Sequence, residues 1–140
     1  MPELAAYLFF DGNCAEAMRF YERSLGGKID AMVTQAESPA GAQASPGSAN
    51  RIMHASMSVH GGHLMASDWI ANEPYPGQHG VSLSLHYPTV AEGRRIFDAL
   101  GEGGQVTMPF DKTFWAEGFG MLVDRFGTPW TVNAGQLIES

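Results

Sequence analysis

The sequence predicts an α+β chain in which the order βαβββ is written twice. Three observations predict it. A helix signal recurs 76 residues on (92 − 16 = 76), so that Asn13-Cys14-Ala15-Glu16-Ala17-Met18-Arg19-Phe20-Tyr21 lines up with Thr89-Val90-Ala91-Glu92-Gly93-Arg94-Arg95-Ile96-Phe97. One segment with strand-like patterning precedes each copy, and three follow it. The apolar share of 44%, against 16% charged, is enough to bury a core under both copies. A chain of 140 residues is one compact domain by length, here made of two modules over about residues 1–70 and 79–138.

The elements follow in order. Tyr7-Leu8-Phe9-Phe10 is the first strand candidate. The first helix opens on a capping box, in which Asn13 accepts from the N–H three residues on and Glu16 reaches back. Its apolar stripe is Cys14, Ala17, Met18, Tyr21 and Leu25, the spacing of a helix with one buried face, and Gly26-Gly27 stops it. Strands are expected at Lys28–Gln35, Ile52–Val59 and His63–Asp68. Between the first two, Ser38–Asn50 is poor in bulky and charged residues, which makes it either a tolerated insertion or a lid. Ala71–Gln78, with two prolines, is an irregular connector. The second half repeats the pattern. Val81–His86 precedes a helix capped by Thr89 and Glu92, whose stripe is Val90, Gly93, Phe97 and Leu100 with Ile96 alongside. It ends at Gly101-x-Gly103-Gly104, and strands follow at Gln105–Phe110, Gly118–Val123 and Pro129–Asn133.

Composition narrows the function classes. The formal net charge of −7, with eight basic residues, argues against nucleic acid as a partner, because phosphate binding requires clustered Lys and Arg. No stretch approaches the roughly 20 apolar residues of a membrane span, and Met1-Pro2-Glu3-Leu4 does not open a signal peptide. A cytoplasmic home is the expectation. The one cysteine, Cys14, forms no intramolecular disulfide. It reads as a small buried apolar residue, with a thiol activated by the helix N-terminus as the other reading.

Strand alternation carries the functional signal. Met53, Ala55, Met57 and Val59 share one face of their strand, and His54, Ser56, Ser58 and His60 share the other. Val81, Leu83 and Leu85 likewise oppose Ser82, Ser84 and His86. The apolar faces suit packing under a helix. The small polar faces are either plain solvent surface or the lining of a ligand cavity, and the absence there of the Lys, Glu, Thr and Arg usual on a solvated strand favours the cavity.

Two segments identify a family: the N-C-A-E-A-M-R-F-Y helix opening, and Thr113-Phe114-Trp115-Ala116-Glu117-Gly118-Phe119-Gly120 followed by Val123-Asp124-Arg125-Phe126-Gly127-Thr128-Pro129-Trp130. With the repeated order they closely resemble the PhnB-like branch of the vicinal oxygen chelate superfamily, whose relatives include glyoxalase I, bleomycin-resistance proteins, fosfomycin-resistance enzymes and extradiol dioxygenases. The resemblance implies two curved mixed sheets forming a cup, helices on the outer face, and a homodimer. It also implies a divalent metal held by the first and fourth strands of each module. Aligned on the helix openings and on Gly62 and Gly127, the ligand positions fall on Ala6, Ala66, Thr131 and either Gly80 or Ser82. Methyl and hydroxyl groups do not hold a divalent ion at neutral pH, so no metal or other cofactor is expected.

The candidate catalytic residues are His54 and Asp68. Each has a bland alternative, a satisfied structural histidine and a loop cap. If they converge they form a His–carboxylate pair beside Trp69. The candidate ligand-binding residues are Ser56, Ser84, His86, Phe114, Trp115, Glu117, Phe119, Thr131 and Asn133, with the aromatic group as a stacking wall and Glu117 as its polar handle. His60-Gly61-Gly62-His63 reads as an exposed hairpin tip rather than a metal pair. The expected function is metal-independent binding of a small organic molecule in the cup, and the alternative is a lyase or isomerase acting by proton transfer.

Overall fold

The structure, a computed structural model, describes residues 2–37, 49–69 and 73–137, the last by its backbone. Its elements are β1 (Ala6–Phe10), α1 (Cys14–Leu25), β2 (Lys28–Thr34), β3 (Ile52–Val59), β4 (Gly62–Asp68), β5 (Leu83–Tyr87), α2 (Val90–Gly101), β6 (Gln105–Asp111), β7 (Ala116–Val123) and β8 (Pro129–Leu137). This is βαβββ twice, in two compact units, Met1–Gly77 and Gln78–Ser140. Each unit holds one four-stranded mixed sheet, ordered β1-β4-β3-β2 in the first and β5-β8-β7-β6 in the second. The leading strand runs parallel to the last, β1 beside β4 and β5 beside β8, and the other pairings are antiparallel.

The helical stripes go where their spacing sends them. Cys14, Ala17, Met18, Tyr21 and Leu25 of α1 are buried with Leu8, Phe10, Ala55, Met57, Leu64 and Ala66 of the first sheet. Gly93, Ile96, Phe97 and Leu100 of α2 are buried with Phe110, Leu122, Trp130, Val132 and Ala134 of the second. Gly93 has a packing reason: a Cβ there would overlap the Ala134 methyl.

Element ends differ from expectation in physically informative ways. β5 begins at Leu83, because Gly80 turns the chain at φ 74° and Val81 is left 67% exposed. β7 starts two residues early and β8 runs on to Leu137. Most of the Ser38–Asn50 segment lies outside the described residues, as do residues 71 and 72 of the connector. The segment's flanks are pinned together by Gln35 N–H donating to Arg51 O (2.8 Å) and Ala36 N–H to Ala49 O (3.1 Å).

The two capping boxes part company. Thr89 Oγ1 accepts from Glu92 N–H at 3.2 Å, as its motif predicts. Asn13 makes no side-chain cap at all. Asp68, at the end of β4 and 54 residues from Cys14, takes its place: Oδ1 accepts from Cys14 N–H (3.0 Å) and Gly12 N–H (2.8 Å), while Oδ2 accepts from Ile52 N–H (2.7 Å). A carboxylate is the stronger acceptor, and it complements the positive end of the helix. One side chain thereby ties the β1–α1 turn and the start of β3 to β4.

A buried carboxylate with three backbone donors is expensive to remove, because its donors are left unsatisfied. Asp68→Ala is expected to lower unfolding stability by roughly 3–5 kcal/mol, measured by urea denaturation. A loss below about 1 kcal/mol would contradict this role.

Candidate functional site

Each sheet has one face under its helix and one face without. In the second unit the helix-free face carries Ser84 and His86 from β5, Thr131 and Asn133 from β8, and Phe119 and Met121 from β7. The register sets Ser84 beside Thr131 and His86 beside Asn133, with Met121 and Phe119 on the far side of those two. The polar groups pair across the parallel strands. Ser82 Oγ meets Thr131 Oγ1 at 2.6 Å, Asn133 Nδ2 donates to Ser84 Oγ at 3.3 Å, and His86 Nε2 donates to Gly135 O at 2.9 Å. A carbonyl only accepts, so Nε2 carries the hydrogen, and the Nδ1 of neutral His86 is left as an acceptor.

The aromatic residues adjoin this row. Trp115 sits edge-to-face with Phe119 (centroids 5.1 Å apart) and with Phe114 (4.8 Å), and Phe114 is 80% exposed. The turn beneath them is held by Thr113, whose Oγ1 accepts from Trp115 N–H (3.3 Å) and Ala116 N–H (3.1 Å). Glu117 is exposed, and its Oε1 is engaged by Gln136 N–H at 2.6 Å. Eight of the nine predicted ligand-binding residues, all but Ser56, therefore belong to one unit, and Ser84, His86, Phe119, Thr131 and Asn133 share one face.

The first unit holds the rest, with two corrections. His54 and Ser56 lie on the helix-free face of β3, but His54 and Asp68 do not converge. His54 Nδ1 pairs with the Tyr7 hydroxyl at 3.0 Å, and both Asp68 oxygens are committed to backbone N–H groups. Asp68 is also not on the helix-free face. Ala66, with which it shares parity, is fully buried against α1, and the register pairs Leu8 with Ala66 and Tyr7 with Met65. The alignment on the helix openings is thus one residue out of step in β1, and that on Gly62 and Gly127 in β4, and a one-residue slip exchanges the two faces of a strand. Tyr7 and Met65, not Ala6 and Ala66, correspond to Ser84 and Thr131.

That correction bears on the superfamily's metal. Phenol, thioether and hydroxyl groups are poor donors for a divalent ion, and no cluster of three or more His, Cys, Asp or Glu side chains occurs among the described residues. The residues present do not fit such an ion.

Three other side chains, Cys14, His60 and His63, settle into plain roles. Cys14 is buried, and its thiol is pushed up to about 12 by burial and by the nearby Asp68 charge. His60 (φ 50°) and Gly61 (φ 79°) make the two-residue hairpin turn, and His63 bonds Glu3 at 2.7 Å, which raises its pKa by hydrogen bond and charge. Sequence reasoning missed the aromatic set on the first unit's face: Tyr7, Phe9, Trp69 and Tyr75. Its only signal was the unbroken apolar run of β1, which has no alternation to tell a core face from a free one.

A family model described as 3-demethylubiquinone-9 3-methyltransferase matches residues 2–133, and Protein YjdN of Escherichia coli (strain K12) is 36% identical over 95% of each chain. The chain belongs to that family. Among solved structures, protein PA1353 from Pseudomonas aeruginosa is similar at 44% identity, covering 97% of this chain and 99% of its own, with a TM-score of 0.90. A glyoxalase/bleomycin resistance/dioxygenase domain from Frankia sp. EAN1pec shares the fold at 11% identity and a TM-score of 0.68, over 97% and 93% of the two chains. The family is the PhnB-like one, with the vicinal oxygen chelate fold. Its D-x-F-G-x-P-W tail now has a structural meaning. Buried Asp124 accepts from Phe126 N–H, Thr128 N–H and Trp130 Nε1 at 2.8, 3.1 and 2.8 Å, closing the β7–β8 hairpin. Among the described residues of this PhnB-like chain, no helix is long and apolar enough to cross a membrane.

With its thiol buried and protonated at ordinary pH, Cys14 is expected to resist alkylation by iodoacetamide at pH 8 in the native protein and to react fully in urea. Rapid stoichiometric labelling of the native chain would contradict its assignment to the core.

Proposed function

We propose that this PhnB-like chain is a metal-independent binding protein for a small planar organic molecule, held on the helix-free face of the second unit. One observation carries the proposal: a row of cross-strand polar pairs, Ser82–Thr131, Ser84–Asn133 and His86–Gly135, lies beside the Phe119–Trp115–Phe114 aromatic fan. The fan supplies apolar area and ring faces for stacking. The row supplies orienting donors and acceptors, including His86 Nδ1 and the remaining valences of the hydroxyls and the Asn133 amide. The sheet beneath is packed on its other side against α2, a support that lowers the cost of ordering the site. Turnover is not part of the proposal. The acid–base pair that a lyase or isomerase reading needs is missing its carboxylate, because Asp68 caps α1. A cytoplasmic homodimer is the accompanying expectation, as the family resemblance implies.

Isothermal titration with 2-naphthamide, a planar ring bearing one amide, tests the site. Trp115→Ala is expected to weaken binding about tenfold and Asn133→Ala by a similar or smaller factor, with no effect of EDTA on the wild type. Equal affinity in wild type and Trp115→Ala would contradict the site, and loss of binding in EDTA restored by a divalent ion would contradict its independence of metal.

A further inference from the structure

The first unit repeats the element order of the second, but the β1 positions of its helix-free face carry aromatic rings. Where the second unit has Ser84, His86, Thr131 and Asn133, the corresponding register positions of the first carry Tyr7, Phe9, Met65 and Ser67. Tyr7 and Phe9 stand 39% and 41% exposed with ring centroids 5.2 Å apart. Trp69 closes the end of the patch edge-on to Phe9 (5.5 Å, 88°), and Tyr75 follows Trp69 at 6.2 Å. The backbone at Trp69 and the Tyr75 hydroxyl are pinned. Trp69 N–H donates to Phe10 O, Arg51 Nε donates to Trp69 O, and the Tyr75 hydroxyl donates to Phe9 O.

At its polar end stands the Tyr7–His54 pair, 3.0 Å apart. Its chemistry is the same in either tautomer. If the phenol donates to Nδ1, Nε2 carries a hydrogen and offers a donor while the phenol oxygen keeps an acceptor lone pair. If Nδ1 donates, Nε2 becomes the acceptor and the phenol O–H the donor. With a neutral imidazole the pair presents one donor and one acceptor in both tautomers. A neutral hydroxyl, which both donates and accepts, is the matched partner; a carboxylate, which only accepts, is not.

We propose that the first unit carries a binding face of its own for planar aromatic alcohols, with the ring against Phe9 and Trp69 and the hydroxyl on the Tyr7–His54 pair. This site uses none of the residues of the second unit's face and stands or falls separately from it.

The test is titration with 2-naphthol, with 2-methoxynaphthalene as the probe that accepts but does not donate. Wild type is expected to prefer 2-naphthol by about tenfold. Tyr7→Phe and His54→Gln are each expected to erase that preference while keeping residual binding of the ring, and Trp115→Ala to leave it intact. Equal affinity for the two probes in wild type would overturn the proposal, as would a preference that survives Tyr7→Phe and His54→Gln but is lost in Trp115→Ala. No binding of 2-naphthol up to its solubility would overturn it as well. Should either variant fail to fold, methyl NMR of wild type decides: 2-naphthol must shift the Met65 methyl, which neighbours Tyr7 across the β1–β4 ladder, and an unmoved Met65 overturns the assignment.

Discussion

Each unit provides one 12-residue helix for a four-stranded sheet, and that ratio governs everything else in the molecule. A strand sends alternate side chains to opposite faces, so covering one face with a helix leaves the other without cover from its own unit. The covered faces are built from Leu8, Phe10, Ala55, Met57, Leu64 and Ala66 in one unit and from Trp130, Val132 and Ala134 in the other. The uncovered faces collect what the core rejects: hydroxyls, imidazoles, an amide, and rings with polar tips. Two buried carboxylates hold the arrangement. Asp68 fastens α1 to the sheet it covers, and Asp124 fastens the β7–β8 hairpin through the indole of Trp130. Both carboxylates therefore serve the fold rather than chemistry.

Much of this was legible from local pattern. The helical stripes, the glycine stop at Gly26 and the Thr89 cap are consequences of neighbours three and four residues apart, which a sequence displays directly. The polar faces of β3 and β5 were equally legible, because alternation is a period-two signal. What could not be read was register between distant strands. Tyr7-Leu8-Phe9-Phe10 is apolar throughout, so nothing local tells Leu8 and Phe10, which are buried, from Tyr7 and Phe9, which are not. The alignment of the halves then slipped by one residue and set Ala6 and Ala66 on the wrong face. The role of Asp68 was hidden for a related reason. A cap supplied across 54 residues leaves no trace near the helix it caps, while Asn13 stands where a cap is usual and does not act as one.

The two units share one backbone plan and differ in their helix-free faces. Equivalent positions hold Tyr7 and Ser84, Phe9 and His86, Met65 and Thr131, Ser67 and Asn133, an exchange of aromatic and thioether groups for hydroxyl, imidazole and amide. None of these positions supplies a carboxylate, and the one imidazole among them, His86, already donates through Nε2 to a backbone carbonyl. The vicinal oxygen chelate fold is thereby kept without a donor set suited to its metal. What both faces retain is a helix-backed sheet bearing rings beside hydrogen-bonding groups, the arrangement on which the proposed binding role rests.

The methionines report on this division directly. Met121 lies on the helix-free face beside Thr131, whereas Met18 and Met57 are fully buried between helix and sheet. In a titration of methyl-labelled protein with 2-naphthamide, followed by NMR, the account predicts a saturable shift of the Met121 methyl with Met18 and Met57 unmoved. A Met121 signal that stays in place at saturating ligand, or a shift confined to Met18 and Met57, would contradict it.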